Sequence, residues 1–284
     1  MASERERIFE LLETADNFVK YAPAGREERA AARARKRYQR ALELAERAGD
    51  GDMTTQARLR LEDLERRASL PPGATDDSSS EGPGGGILTA ELPEHARARV
   101  PPGQRVTRGW PVLHEGPIPR FDRATWRLKV TGAVDAPIEL AYEELRALPN
   151  VEMCADFHCV TGWSKLDNFW TGVRARDVLG KAKPRSDAAH VTVGAEYGYT
   201  ANLPLATLMD AETLLAWGHN GGDLAPKHGW PLRLVVPRLY GWKSVKWVRS
   251  FELITADRRG FWEVRGYHNR ADPWLEERYS YQER

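Results

Sequence analysis

Cysteine is scarce in this chain, with two among 284 residues. Cys154 and Cys159 lie too close in sequence to staple a long loop, and on one strand an odd separation would aim them at opposite faces, so no disulfide is expected between them. Charge of one sign is also lacking: 42 basic residues balance 41 acidic ones to a net +1, which argues against a general nucleic-acid or membrane-surface binder. No stretch approaches the roughly 20 apolar residues of a membrane span. The charged start Met1-Ala2-Ser3-Glu4-Arg5-Glu6-Arg7 is not followed by an apolar signal core. A soluble, cytoplasmic chain is expected. No Gly-rich fingerprint follows a strand, against a dinucleotide fold, and no Cys-x-x-Cys-His haem attachment occurs.

What is present divides into three segments. Residues 1 to 70 have helical periodicity. The first helix opens on a capping box at Ser3 and Glu6 and carries Ile8, Leu11, Leu12, Ala15, Phe18 and Val19 on one stripe. A second helix is predicted from Glu27 to Ala48, with Ala34, Tyr38, Ala41, Leu42 and Ala45 inward, and Gly49-Asp50-Gly51-Asp52 breaks it. A third carries Ala57, Leu61, Leu64 and Ala68. The arginines at 26, 29, 33, 35, 37 and 40 are interspersed with Glu27, Glu28, Glu43 and Glu46, the pattern of a solvated helix surface and not of a phosphate-binding face. Residues 71–86, Pro-, Gly- and Ser-rich, have almost nothing to bury and read as a flexible linker.

From residue 87 to 284 the pattern changes to short β-type runs broken by Gly and Pro: Trp126 to Val130, Val151 to Val160, His190 to Glu196, Leu214 to Trp217 and Leu232 to Val236. Short helices fit at Tyr142 to Leu148 and Val173 to Ala182. The expected fold class is α+β with a mixed or largely antiparallel sheet, preceded by a small all-α segment.

Two stretches carry the chemistry. In Asp156-Phe157-His158-Cys159-Val160-Thr161-Gly162-Trp163-Ser164 a cysteine ends an apolar strand and enters a turn, where its thiol can leave the sheet and meet a ligand. Taken alone, a buried strand thiol is the ordinary reading. Downstream, Gly229-Trp230-Pro231-Leu232-Arg233-Leu234-Val235-Val236-Pro237 is followed by Tyr240-Gly241 and by Lys243-Ser244-Val245-Lys246-Trp247. An arginine can fork a phosphate, a lysine adds a point charge, and Gly241 permits close backbone approach. Alone these basic residues would be an ordinary strand edge.

Together these motifs resemble the sulfite oxidase family of molybdopterin enzymes over residues 100 to 284, particularly its small bacterial members without a dimerisation domain. The Cys-Val-x-x-Trp-Ser form at Cys159, Val160, Trp163 and Ser164 looks more like the bacterial sulfoxide-reductase branch. The resemblance implies that Cys159 ligates molybdenum, that His228 and Arg233 hold a pterin and its phosphate, and that Ser244, Val245 and Lys246 supply backbone and ammonium contacts. His114-Glu115-Gly116-Pro117 stands where the family has Asn-His-Gly-Pro, so His114 and Glu115 are assigned to cofactor binding with their polar identities changed. Leu113 and Ser164 stand where sulfite-oxidising members carry arginines, which disfavours a dianion and favours a neutral S- or N-oxide. Arg265 or Arg270 would restore an anion site from the tail. Tyr240, Tyr267 and His268 are candidates for proton delivery.

The implied activity is oxygen-atom transfer with a molybdenum-molybdopterin cofactor, a small-molecule substrate, a separate electron-transfer protein and a monomeric state. Sulfite oxidation is the enzymatic alternative. Two others are a zinc site from Cys154, His158 and Cys159 with His190, His219 or His228, and a non-catalytic adaptor docking through its helices.

Overall fold

The computed structural model describes residues 4–20, 27–68, 92–107 and 109–283. The contacts divide the chain into two compact units, Met1–Gly82 with Val264–Gly266, and Pro83–Glu263 with Tyr267–Arg284.

The first unit contains α1 (Glu4–Lys20), α2 (Glu27–Ala48) and α3 (Gly51–Ala68). In α2 the buried residues Ala30, Ala34, Tyr38, Ala41 and Ala45 recur at helical spacing and meet Ile8, Leu12 and Ala15 of α1 and Met53 and Ala57 of α3. Small alanines let the helices approach closely. Gly49 ends α2 at φ +67°, and Asp50 then accepts the Met53 N–H through its side chain at 3.0 Å, capping α3. Asp16 ties all three helices together, accepting from Tyr38 at 2.7 Å and Arg60 at 3.1 Å. The predicted cap at Ser3 and linker over 71–86 lie outside the described residues. Among the described residues no helix is long and apolar enough to cross a membrane.

The second unit is α+β, built on two mixed sheets. After a short α4 (Glu94–Arg97), the chain enters β1 (Arg105–Val106), β2 (Arg127–Gly132) and β3 (Ile138–Ala141). Then come α5 (Tyr142–Arg146), β4 (Val151–Cys159), β5 (Trp163–Arg174), α6 (Ala175–Lys181), β6 (His190–Ala195), β7 (Thr200–Pro204) and α7 (Leu205–Met209). The last strands are β8 (Leu214–His219), β9 (Gly222–Asp223), β10 (Arg233–Val235) and β11 (Val248–Ile254). One sheet runs β1-β5-β8-β10, with β4 also on β5 and β9 on β8; the other runs β3-β2-β11-β6-β7. The β1–β5 and β2–β11 pairs are parallel and the rest antiparallel.

Period-two alternation sorts the first sheet's side chains between two cores. Leu215 and Trp217 of β8, with Leu232, Leu234 and Val236 in and beside β10, join the main core with Leu128, Val193, Phe251 and the helix residues Leu145, Val178 and Leu208. Leu214, Ala216 and Val235 face the other way, into a smaller core with Trp110, Phe157, Cys159, Trp163 and Trp170. The same alternation sends Arg233 to the Cys159 side.

Candidate functional site

Cys159 is held at a strand end by its turn. β4 and β5 pair Cys159 with Trp163, leaving a three-residue loop whose last member, Gly162, sits at φ +87°, and the Gly162 N–H donates to the Cys159 carbonyl at 3.1 Å. A bulge between Ala155 and Phe157 shifts the strand's alternation, so that Phe157, His158 and Cys159 are all buried while Cys154 is exposed. The Cys159 thiol lies 3.2 Å from the Thr161 hydroxyl.

Arg233 shares this side of the sheet. Its guanidinium is buried, donates to the His228 carbonyl at 2.8 Å, and lies 4.8 Å from the Phe157 ring centre and 5.5 Å from that of Trp110. It has no ion pair among the described residues, and its Nε meets no hydrogen-bond partner. Burial pushes it down to about 9 against the pull of Cys159 and then Tyr199. His228 stacks on Trp110 with ring centres 3.8 Å apart and planes 5° from parallel, and its Nδ1 is also buried without a partner. Burial and then the Arg233 charge push this imidazole down to about 2, so it is neutral at physiological pH. His219 completes the aromatic wall, 4.5 Å from Trp110 and hydrogen-bonded to Asn168 at 3.0 Å; burial takes it to about 4.

The Lys243–Trp247 segment is fastened to β10. The Ser244 hydroxyl accepts the Val236 N–H at 2.9 Å, and the Val245 carbonyl accepts that of Leu234 at 2.8 Å. Val245's side chain enters the main core, away from the Cys159 face of the sheet. Lys246 donates to the Lys227 carbonyl at 2.7 Å and Trp247 to the Pro226 carbonyl at 2.9 Å, which pins the turn carrying His228. Gly241 is required by a close approach: a Cβ there would overlap the Phe157 ring, and the Gly241 N–H donates to the His158 carbonyl at 2.8 Å. Cys159's strand and this segment are thereby one assembly.

The remaining predicted residues take distinct places. His114 is bonded through Nδ1 to the Gly116 carbonyl at 2.9 Å and lies edge-on to Trp247 at 5.0 Å. Glu115 adds to the electrostatic rise of the Tyr199 phenol, which burial raises first and whose hydroxyl donates to the Trp242 carbonyl at 2.8 Å. Tyr240 is fully buried beneath Arg278; burial raises its phenol, against the lowering pull of Arg278 and of a hydrogen bond from Gln104. Tyr267 packs edge-on to Trp242 at 5.1 Å and bridges to Tyr279. His268 accepts the Arg270 and Ala271 N–H groups on Nδ1 at 3.1 and 3.3 Å, which fastens a turn. Arg270 is exposed and lies near Asp272 and Glu277. The zinc set does not assemble: Cys154 and Cys159 differ in exposure, the His158 Nδ1 is engaged by the Ser164 hydroxyl at 2.8 Å, and among the described residues no metal-binding trio converges.

Sequence reasoning missed several residues. Trp110, Gln104, Tyr199 and Arg278 reach the site from distant segments, and no local spacing signals them. Lys243 was the first lysine of the quoted motif, yet it is fully buried, paired with Glu263 at 2.6 Å and donating to the Asn202 carbonyl at 2.7 Å.

With this geometry in place, the similarities to known proteins become interpretable. Residues 115–262, more than half of the chain, match the oxidoreductase molybdopterin binding domain model. An uncharacterized oxidoreductase of Bacillus subtilis, YuiH, is 49% identical over 184 residues, covering 64% of this chain and 93% of that protein. The protein-methionine-sulfoxide reductase catalytic subunit MsrP of Campylobacter jejuni is 30% identical over 160 residues, covering 50% and 54%; Arabidopsis thaliana sulfite oxidase is 30% identical over 190 residues, covering 54% and 48%. The chain thus spans about half the length of each of these last two. The chain belongs to the sulfite oxidase-like family of molybdopterin-binding oxidoreductases. It is an oxidoreductase of that class, of mixed α+β fold, and its family implies a molybdenum cofactor.

Proposed function

We propose that this chain catalyses oxygen-atom transfer on a small neutral S- or N-oxide, using a molybdenum-molybdopterin cofactor with Cys159 as a metal ligand. The observation that carries this reading is the unmatched cation Arg233. A buried guanidinium with no carboxylate partner and an unbonded Nε, beside an unbonded His228 Nδ1, is costly in an empty protein and suits one that receives an anionic, hydrogen-bonding group there. A pterin phosphate fits that donor set, and a thiolate suits a soft, high-valent metal.

Cys159 would hold the metal, and Arg233, His228 and Lys246 the pterin and its phosphate, with His114 and Glu115 on the facing loop. When bound, the group supplies a metal that gains or loses an oxygen atom while cycling between the +VI and +IV states. The chain's own part is to bind, orient and desolvate. Neutral His228 offers a donor or an acceptor according to its tautomer, Thr161 polarises the Cys159 sulfur, and the Trp110–His219–Trp170 wall limits water. Tyr240, kept protonated by burial, is the better placed of the proton donors. Tyr267 and His268 remain proton-delivery candidates, and Ser244 and Val245 contribute by anchoring the cofactor segment.

A neutral substrate is favoured because Leu113 packs against the Cys159 core and buried Ser164 is bonded to His158. Neither supplies positive charge. Electrons would be exchanged with a separate redox protein, and the chain would act as a cytoplasmic monomer.

The test is elemental analysis for molybdenum and zinc, with fluorescence of the oxidised pterin, on wild type beside Cys159→Ser. Near-stoichiometric molybdenum and pterin in the wild type, with metal lost or its electron-spin signal altered in the variant, is expected. Protein from a cofactor-competent host that contains neither would end this reading and return the adaptor hypothesis.

A further inference from the structure

The arginine positions that would make this pocket anionophilic are filled by Leu113 and Ser164, yet the pocket is not without a cation. The C-terminal segment delivers Arg278. Its Nη1 donates to the carbonyl of Val160, the residue after Cys159, and its guanidinium lies over the Tyr240 ring at 5.1 Å. A Cβ built on Gly103 would stand 3.1 Å from the Arg278 Nη2, so that residue also lies against the guanidinium. The next residue, Gln104, donates to the Cys159 carbonyl at 3.1 Å. Arg278 is thus fixed among Gly103, Val160 and Tyr240, beside the turn that follows Cys159.

The tail's path is fixed by hydrogen bonds that serve no other evident purpose. The Tyr240 N–H donates to the Ala271 carbonyl at 2.9 Å, His268 holds the Arg270 and Ala271 amides, and the His268 N–H donates to the Arg278 carbonyl at 3.1 Å. These return residue 278 to the Cys159 turn. Beneath it, the Tyr240 hydroxyl is buried with Gln104 as its polar neighbour, which acts on the oxygen and leaves the O–H to donate. Among the described residues the carboxylate paired with the guanidinium is that of Glu276 at 3.7 Å, half exposed and screened by solvent.

We propose that Arg278 is the specificity-determining residue of this pocket, and that it and the Tyr240 hydroxyl together receive one negatively polarised oxygen of the substrate, the oxide oxygen of an S- or N-oxide. The inference rests on the cofactor reading above and deepens it. A guanidinium has five N–H donors in a fixed plane, and Val160 occupies one of them, leaving others for a second acceptor. One cation matches the partial charge of a dipolar oxide. It leaves half of a dianion's charge uncompensated in a desolvated site, which discriminates against sulfite.

The experiment compares holoenzyme of wild type, Arg278→Lys and Arg278→Gln in three readouts. These are molybdenum and pterin content, steady-state reduction of dimethyl sulfoxide by a reduced viologen dye, and binding of unreactive dimethyl sulfone followed by the visible absorption of the oxidised enzyme. Loss of a charge-assisted hydrogen bond to substrate is expected to raise the dimethyl sulfoxide KM and the sulfone Kd of the Gln variant about tenfold with kcat little changed. The Lys variant should recover to within about threefold, and all three proteins should carry equal molybdenum. Unchanged sulfone affinity in a fully loaded Gln variant would overturn the inference and leave the cofactor reading intact. Molybdenum lost from the Gln variant alone would overturn it in favour of a structural clamp on the Cys159 turn. A wild type without molybdenum sinks the cofactor reading and this inference with it.

Discussion

Lys243 and Arg233 belong to one stretch of chain and are both buried, but their surroundings differ. Lys243 meets Glu263 at 2.6 Å and donates to the Asn202 carbonyl at 2.7 Å and side-chain oxygen at 3.0 Å; Glu263 also accepts from the Trp242 indole at 2.9 Å. Among the described residues Arg233 has one carbonyl, two aromatic faces and no carboxylate. A charge that is matched inside the protein serves the fold. A charge left unmatched is a cost the fold carries, and it makes sense where an anionic ligand will complete it. The comparison separates scaffold from site within a single motif, which the alternation of residue types along it does not.

The largest expected effect breaks the matched region. Lys243→Met leaves the Glu263 carboxylate buried without its cation and should destabilise the second unit by about 3–5 kcal/mol. Urea unfolding followed by tryptophan fluorescence is the measurement, since all ten tryptophans lie between Trp110 and Trp274 and so report this unit and not the N-terminal helices. Adding Glu263→Gln should recover much of the loss. A Lys243→Met change of less than about 1 kcal/mol would mean that the pair is not the scaffold element it is taken to be.

The second effect concerns pH. Burial depresses both His158, to about 4, and His228, to about 2, from an unfolded value near 6.5. Between those values the unfolded chain binds protons that the folded chain refuses, so stability is fully present above about pH 6.5 and is lost as pH falls. With His219, which burial also takes to about 4, three such groups give a slope approaching about 4 kcal/mol per pH unit between about pH 4 and 6, before carboxylates contribute. His228→Gln should flatten that slope by about 1.4 kcal/mol per unit. The unmatched region is the more acid-sensitive because protonating His228 places a second positive charge beside Arg233. An unaltered slope in the variant would show that His228 takes up its proton in the folded state.

Much of the scaffold was legible because it obeys local periodicity. The stripe through Ala34, Tyr38, Ala41 and Ala45 gave α2 its boundaries, and the apolar run at Leu232 to Val236 gave β10. Strand β5 was not seen, because Ser164, Lys165, Asp167 and Asn168 interrupt its apolar positions, and two of these polar groups are satisfied by tertiary partners invisible to a window: Ser164 by His158, Asn168 by His219. The helix expected from Val173 starts later, at Ala175, since Val173 and Arg174 are still paired to β8. β7 and β11 were missed for a related reason, their mixed polar and apolar alternation being shared with loops. At the candidate site, Cys159 and Arg233 were singled out by their motifs. Arg278 was not, and Arg265 or Arg270 was considered instead, because the contact to Val160 joins residues 118 apart and nothing in the tail's composition selects one arginine over another. A buried ion pair is equally hidden: Lys243 has the same sequence appearance as Lys246, and only the arrival of Glu263 from another segment distinguishes them.

The smallest effect is the most discriminating, because it is predicted to be nearly absent. Arg233→Met in cofactor-free protein removes a desolvated cation and its cost, but also a hydrogen bond to the His228 carbonyl and two ring contacts worth about 0.5–1 kcal/mol or more each. These oppose one another, so the unfolding free energy should change by less than about 1 kcal/mol, against the several lost from Lys243→Met. The variant should nevertheless retain at least about tenfold less pterin through purification, because the phosphate contact proposed for Arg233 would be gone. A loss as large as that of Lys243→Met would place Arg233 in the scaffold. Near-neutral stability with full pterin retention would leave the cation unmatched even in the loaded enzyme. Only near-neutral stability combined with lost pterin fits a charge that the fold leaves open for its ligand.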